Sequence, residues 1–183
     1  MVYAALYYAS RYSLLKALCF AVWTAFHPMA ARAPHAAAIA DAIANAVMAD
    51  PNPIGSEDEE AALAARWAVE ESWLRPRVVG DGGQAHGLFQ LHRAAGLGSI
   101  GTQTQAWLAM LHDGSKVCPE SPAAPLSGGC VQARKLADRR TRAALGVLHQ
   151  FLASSSLSSD TPIETSVDSP EGLLARGGQN SGL

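Results

Sequence analysis

The chain has 183 residues, room for one ordinary domain with tails. With 49% apolar residues, 16% charged residues and a net charge of -2, it can pack a core. It lacks the basic excess of a nucleic-acid binder, so no nucleic-acid partner is expected, and no tandem repeat is visible.

Met1 to Phe26 is strongly apolar, and Ala17 to Phe26 is an uncharged run of ten. Such a run is short for a membrane span and suits the core of an export signal, with Arg11 and Lys16 as its positive flank. Ala31-Arg32-Ala33 offers a small-x-small cleavage site, although Pro34 directly after it is an awkward residue for a peptidase. Residues 1–33 are therefore read as a signal peptide or membrane anchor, and the protein as exported, periplasmic or extracellular. Two other readings are an upstream extension from a mis-called start and an apolar helix of a soluble domain.

Residues 34–152 are read as the folded domain. Ile39, Ile43 and Val47 recur every four residues, which predicts a helix over 34–50, stopped by Asp50-Pro51-Asn52-Pro53. Ser56 with Glu59 forms a capping-box pattern that predicts the next helix, running to about Trp73. The acids Glu57 to Glu60 lie on its positive end and are expected to be solvated.

Glu71 closes that helix near Trp67, Trp73 and Leu74, with Leu88 and Phe89 further along. Apolar surroundings strip a carboxylate of water and the helix end presents its negative pole, so both disfavour the anion. A carboxyl kept protonated can donate to a leaving oxygen, as glycosidic cleavage requires. Glu70 lies about 100° round the helix and is expected to face solvent. Gly80-x-Gly82-x-x-Ala85 matches a loose dinucleotide-binding pattern, but no acid lies between Asp81 and Asp113 to hold a ribose. A hairpin-like turn lining a cleft fits better. His86 and His92 have no third ligand in view and are read as surface or satisfied core residues.

Thr102 or Thr104 is expected to cap a helix ending near Gly114. Of three cysteines, Cys118 and Cys130 flank a loop rich in Pro, Ser and Gly, and in an exported chain they would pair. Such a bridge stabilises by about 2–3 kcal/mol through the unfolded state. The alternative is two unrelated thiols. A zinc site is not expected, since no second Cys pair or paired histidines accompany them. Residues 131–152 are read as a long helix whose basic residues Arg134, Lys135, Arg139, Arg140 and Arg142 form a solvated face. Residues 153–183, rich in Ser, Gly, Asp and Pro, are read as a disordered tail.

Glu71-Ser72-x-Leu74-x-Pro76, followed by Ala85-x-Gly87-Leu88-Phe89-Gln90, resembles the Glu-Ser … Gly-Leu-Met-Gln signature of the lysozyme-like lytic transglycosylases and goose-type lysozymes. The chain departs from it in Phe89 for Met and in Gln84 where Gly is commoner. The segment around Cys118, Gly129-Cys130 and Arg139-Arg140 is similar to the C-terminal part of bacterial lysozyme-like proteins. The resemblance implies a mainly α, lysozyme-like fold with a short β-hairpin wall, acting as a monomer on peptidoglycan glycan strands without metal or organic cofactor. It places the catalytic acid on Glu71 and substrate contacts on Ser72, Gly87, Leu88, Phe89 and Gln90. Ser72 could instead cap the helix, Gly87 permit a turn, and Gln90 satisfy buried backbone. Asp81 stands where goose-type lysozymes carry an Asp that positions the attacking water, and the alternative is a turn residue. Their second Asp falls on His92. A transglycosylase needs only Glu71, because the sugar's own 6-hydroxyl attacks.

Overall fold

A computed structural model describes residues 2–157. The described residues form five α-helices and one small antiparallel sheet. The helices are α1 (Val2–Phe26), α2 (Ala36–Met48), α3 (Glu57–Ser72), α4 (Ile100–Val117) and α5 (Arg134–Leu157). The strands are β1 (Val79–Gly80), β2 (Ala85–His86) and β3 (Leu91–His92). The mainly helical architecture with a hairpin wall agrees with the sequence reading.

The segment read as a leader packs into the body of the domain. Leu15, Leu18, Cys19, Val22 and Trp23 recur at helical spacing along α1, and all are fully buried. They join one core with Ile39, Ile43 and Val47 of α2 and the apolar side of α3. Trp23 Nε1 donates to the Ala65 carbonyl of α3 at 2.9 Å. The two cations read as a positive flank are ion-paired within the fold: Arg11 with Glu57 at 2.7 Å and Asp58 at 3.0 Å, and Lys16 with Asp41. Burial pushes the Cys19 thiol up to about 12. Among the described residues no helix is long and apolar enough to cross a membrane.

The centre of the fold is α3. Ser56 caps it, its Oγ accepting from Glu59 N at 3.2 Å. Ala61, Ala62, Ala64, Ala65 and Ala68 are fully buried, and their small side chains let α1, α2 and α5 approach closely. The acid run at its start is not solvated throughout: Glu57 and Asp58 hold Arg11, and Glu60 is 0% exposed.

β1 and β2 form the expected hairpin, with Val79 opposite His86 and Gly80 opposite Ala85 across the 3₁₀ turn Asp81–Gly83. β3 adds to β2, His86 facing Leu91. Ser99 caps α4, its Oγ accepting from Thr102 N at 3.2 Å, so the expected cap at Thr102 or Thr104 lies a turn too late. Cys118 and Cys130 are joined, Cα to Cα 5.8 Å, closing the loop between α4 and α5. Residues 153–157 of the expected tail continue α5, and residues 158–183 lie outside the described residues.

Trp23→Ala should therefore lower stability by about 3–5 kcal/mol. Urea unfolding of the full chain measures this. A cost near zero would show that α1 does not pack on α3.

Candidate active site

The last turn of α3, the hairpin, the segment after β2, the loop near Ser127 and α5 together enclose a cleft of ≈ 380 Å³. Glu71, Asp81, Phe89, Gln90, His92 and Arg140 line it. Four of the residues expected at the site therefore meet in one place, although up to 19 positions separate them in the chain.

The surroundings of Glu71 differ from the apolar pocket expected. Arg140, on α5, donates from a terminal guanidinium nitrogen to Glu71 Oε1 at 2.5 Å. Its Nε lies against Glu70 Oε2 as an ion pair, without an aligned hydrogen bond. Arg66 in turn pairs with Glu70, four residues on along α3. Both guanidiniums sit over aromatic rings, Arg140 over Trp67 at 5.3 Å and Arg66 over Phe26 at 3.5 Å. Two carboxylates and two guanidiniums make this chain of charges neutral as a unit. Two expectations are corrected by it. Glu70 does not face solvent, and Arg140 belongs to no solvated face, its side chain being only 14% exposed. Trp73, expected beside Glu71, is largely exposed and packs on His27 at 4.4 Å.

Across the cleft, Asp81 stands at the tip of the hairpin with its side chain 70% exposed, His92 Nε2 lying 3.4 Å from Oδ2. Gln90 Nε2 donates to the carbonyls of Val78 at 3.2 Å and Gly87 at 3.0 Å, binding both ends of the hairpin. Phe89 is buried and stacks on Trp107 at 5.2 Å. Among the described residues the non-glycine positions with positive φ are Trp73, Leu74, Asp81 and Gln90. All fall within or beside this cleft. Each such conformation costs on the order of 1–3 kcal/mol and persists only where the surroundings enforce it.

Ser72, Gly87 and Leu88 are not among the residues lining this cleft. Ser72 is buried, its Oγ donating to the Ala68 carbonyl at 2.9 Å and accepting from Arg75 N at 3.2 Å, so it shapes the end of α3. Leu88 is fully buried and its N–H donates to Gln103 Oε1 at 2.6 Å. Gly87 lines a neighbouring groove of ≈ 520 Å³ with Val79 and His86. At φ +78 it has no room for a side chain: a Cβ would sit 2.3 Å from Gln103 Oε1 and 2.4 Å from the Gly96 carbonyl.

Gln103 is the residue the sequence reading passed over. It is 2% exposed, and its Nε2 donates to the carbonyls of Pro76 at 3.1 Å and Gly98 at 2.8 Å. With Leu88 N–H on its Oε1, one amide ties the strand entrance, the turn and α4 together. Its spacing from Trp107 and Leu111 along one helix face was the available signal. A larger cavity of ≈ 630 Å³ lies beside Arg75, Val78 and Ser99, but no carboxylate lines it, so it offers no acid for glycosidic cleavage.

Gly87→Ala should destabilise the fold by about 2–4 kcal/mol, from overpacking together with the forced positive φ. Chemical denaturation checks this. A neutral result would mean that Gly87 is needed for something other than this packing.

Comparisons of the chain with protein-family models, with curated proteins and with solved structures find no match.

Proposed function

We propose that the protein is a lytic transglycosylase of lysozyme-like fold that cleaves the β-1,4 bond between N-acetylmuramic acid and N-acetylglucosamine in peptidoglycan. The observation that carries this reading is the meeting of Glu71 with the hairpin residue Asp81 and with Phe89 and Gln90 in one cleft. Glu71 and Gln90 belong to the two halves of the Glu-Ser … Gly-Leu-x-Gln resemblance, Phe89 fills its variable position, and Asp81 stands at the goose-type position between them. The Cys118–Cys130 bridge supports an exported location, because such bridges persist in oxidising compartments.

In the proposed reaction the Glu71 carboxyl gives its proton to the glycosidic oxygen as the bond to muramic-acid C1 breaks. The resulting carboxylate then takes the proton of the same sugar's 6-hydroxyl as O6 bonds to C1. The product is a 1,6-anhydro sugar and no water is consumed. In the free protein Arg140 holds the Glu71 carboxyl through a hydrogen-bonded ion pair. The first half requires the guanidinium to yield Glu71 when the glycan enters, and its second contact, to Glu70, gives it a place to remain.

Asp81 favours a second reading. It lines the same cleft and is largely exposed, so it could hold a water on the opposite face of the sugar. That arrangement would make the protein an inverting hydrolase of the goose-type lysozyme kind, provided the two carboxyls stand about 6.5–9.5 Å apart.

Incubating the purified protein with cell-wall sacculi and weighing the fragments by mass spectrometry tests both readings, since anhydro and reducing products differ by one water. Glu71→Gln should abolish release. Release unchanged by that substitution would remove Glu71 as the acid, and no release by the wild type would leave a wall-binding protein. Asp81→Asn should leave anhydro-product formation nearly unaltered. A loss of about 10²–10⁴ in rate with reducing products would identify the hydrolase.

A further inference from the structure

Away from the cleft, three potential metal ligands converge where the end of α2, the start of α3 and α4 meet. Asp50, Glu60 and His112 each present a donor atom, all within 4.8 Å of one another. His112 Nε2 lies 2.7 Å from Asp50 Oδ2 and 3.1 Å from Glu60 Oε1. Both carboxylates are held from behind: Asp50 Oδ1 accepts from Asn52 N at 2.9 Å, and Glu60 Oε1 from Ile54 N at 2.8 Å.

Glu60 supplies the independent sign that something belongs here. It is 0% exposed, and its Oε2 has no hydrogen-bond partner. A buried carboxylate oxygen left unanswered is costly. Among the described residues no lysine or arginine pairs with Glu60 or Asp50. Even a charged His112 would leave one negative charge uncompensated, while a divalent cation with neutral imidazole brings the cluster to zero.

We infer that Asp50, Glu60 and His112 form a binding site for one divalent transition-metal ion of zinc's class. One imidazole nitrogen with two carboxylate oxygens is a donor set that suits such an ion better than magnesium or calcium, which take oxygen ligands. Around a tetrahedral zinc the donors stand about 3.3 Å apart, as bonds of about 2.0–2.1 Å require. The spacings of His112 Nε2 from Asp50 Oδ2 and from Glu60 Oε1, 2.7 and 3.1 Å, open to that value with small side-chain shifts. A surface groove of ≈ 310 Å³ lined by Asp50, His112, Ala46 and Gln105 leaves room for a water as fourth ligand. The bound ion would fasten the turn after α2 to α3 and α4. The sequence reading expected no metal, because the ligands lie up to 62 positions apart and share no local motif.

Titrating chelator-treated full-length protein with zinc chloride in a calorimeter tests the site. One ion per chain should bind. Asp50→Asn and His112→Gln should each weaken binding at least roughly 10–100-fold, while His149→Gln, on the exposed side of α5, should not. Cobalt(II) on the wild type gives a reading that needs no variant to fold: intense visible bands of a low-coordinate site, bleached by zinc, are expected. Absence of one-to-one zinc binding, affinity unchanged in both ligand variants, or only the weak spectrum of hydrated cobalt would each overturn the assignment. So would one-to-one binding of magnesium in preference to zinc.

Discussion

Helix α3 is enclosed by its neighbours along most of its length, and that enclosure governs everything polar on it. Its alanines admit α1, α2 and α5 so closely that no water reaches most of its surface. Glu60, Arg66, Glu70, Glu71 and Ser72 must then find partners within the protein, since a buried polar group without one is penalised. Some partners are local, as Glu70 for Arg66 and the Ala68 carbonyl for Ser72, and others come from elements far away in the chain: His112 for Glu60 and Arg140 for Glu70 and Glu71. The cleft and the proposed metal site are two answers to one constraint, at opposite ends of one helix.

The same helix explains why the hairpin is held so firmly. Two successive left-handed residues, Trp73 and Leu74, turn the chain back, and Leu74 is buried. Glycine would be the easy choice for such a reversal. Tryptophan and leucine there mean that side-chain packing and the Ser72 hydrogen bonds enforce the turn. The hairpin that follows is pinned by two glutamine amides, Gln90 from within and Gln103 from α4. Asp81 is thus carried at the tip of a short, firmly tied arm.

Local patterns were legible because short-range physics writes them. The four-residue recurrence of Ile39, Ile43 and Val47 gave α2, Ser56 with Glu59 gave the start of α3, and the glycines around Asp81 gave the hairpin. The cleft was legible in part, since Glu71, Asp81, Phe89 and Gln90 lie in one continuous stretch. Arg140 was not, because which face of α5 meets α3 depends on the rotation of one helix against another, and no local signal records that. The ion pairs of Arg11 and Lys16 were not legible for a related reason. Two cations beside an apolar run have the same pattern whether they flank a membrane-directed segment or pair with acids of α2 and α3. Ser99 was missed as a cap because Thr102 and Thr104 are equally plausible by residue type, and only the extended backbone at Ser99 separates them.

The bridge between Cys118 and Cys130 closes a ring of the chain that contains Leu126, Ser127 and Gly128, all on the rim of the cleft. A rim on a free loop would have to be immobilised whenever a glycan strand entered, at an entropic cost of about 0.5–1.5 kcal/mol for each ordered side chain. Within the ring much of that ordering is already in place before any encounter. The cross-link therefore does more than hold α4 near α5: under the proposed function it would lower the entropy lost on glycan capture, so that flank would act as a preorganised rim.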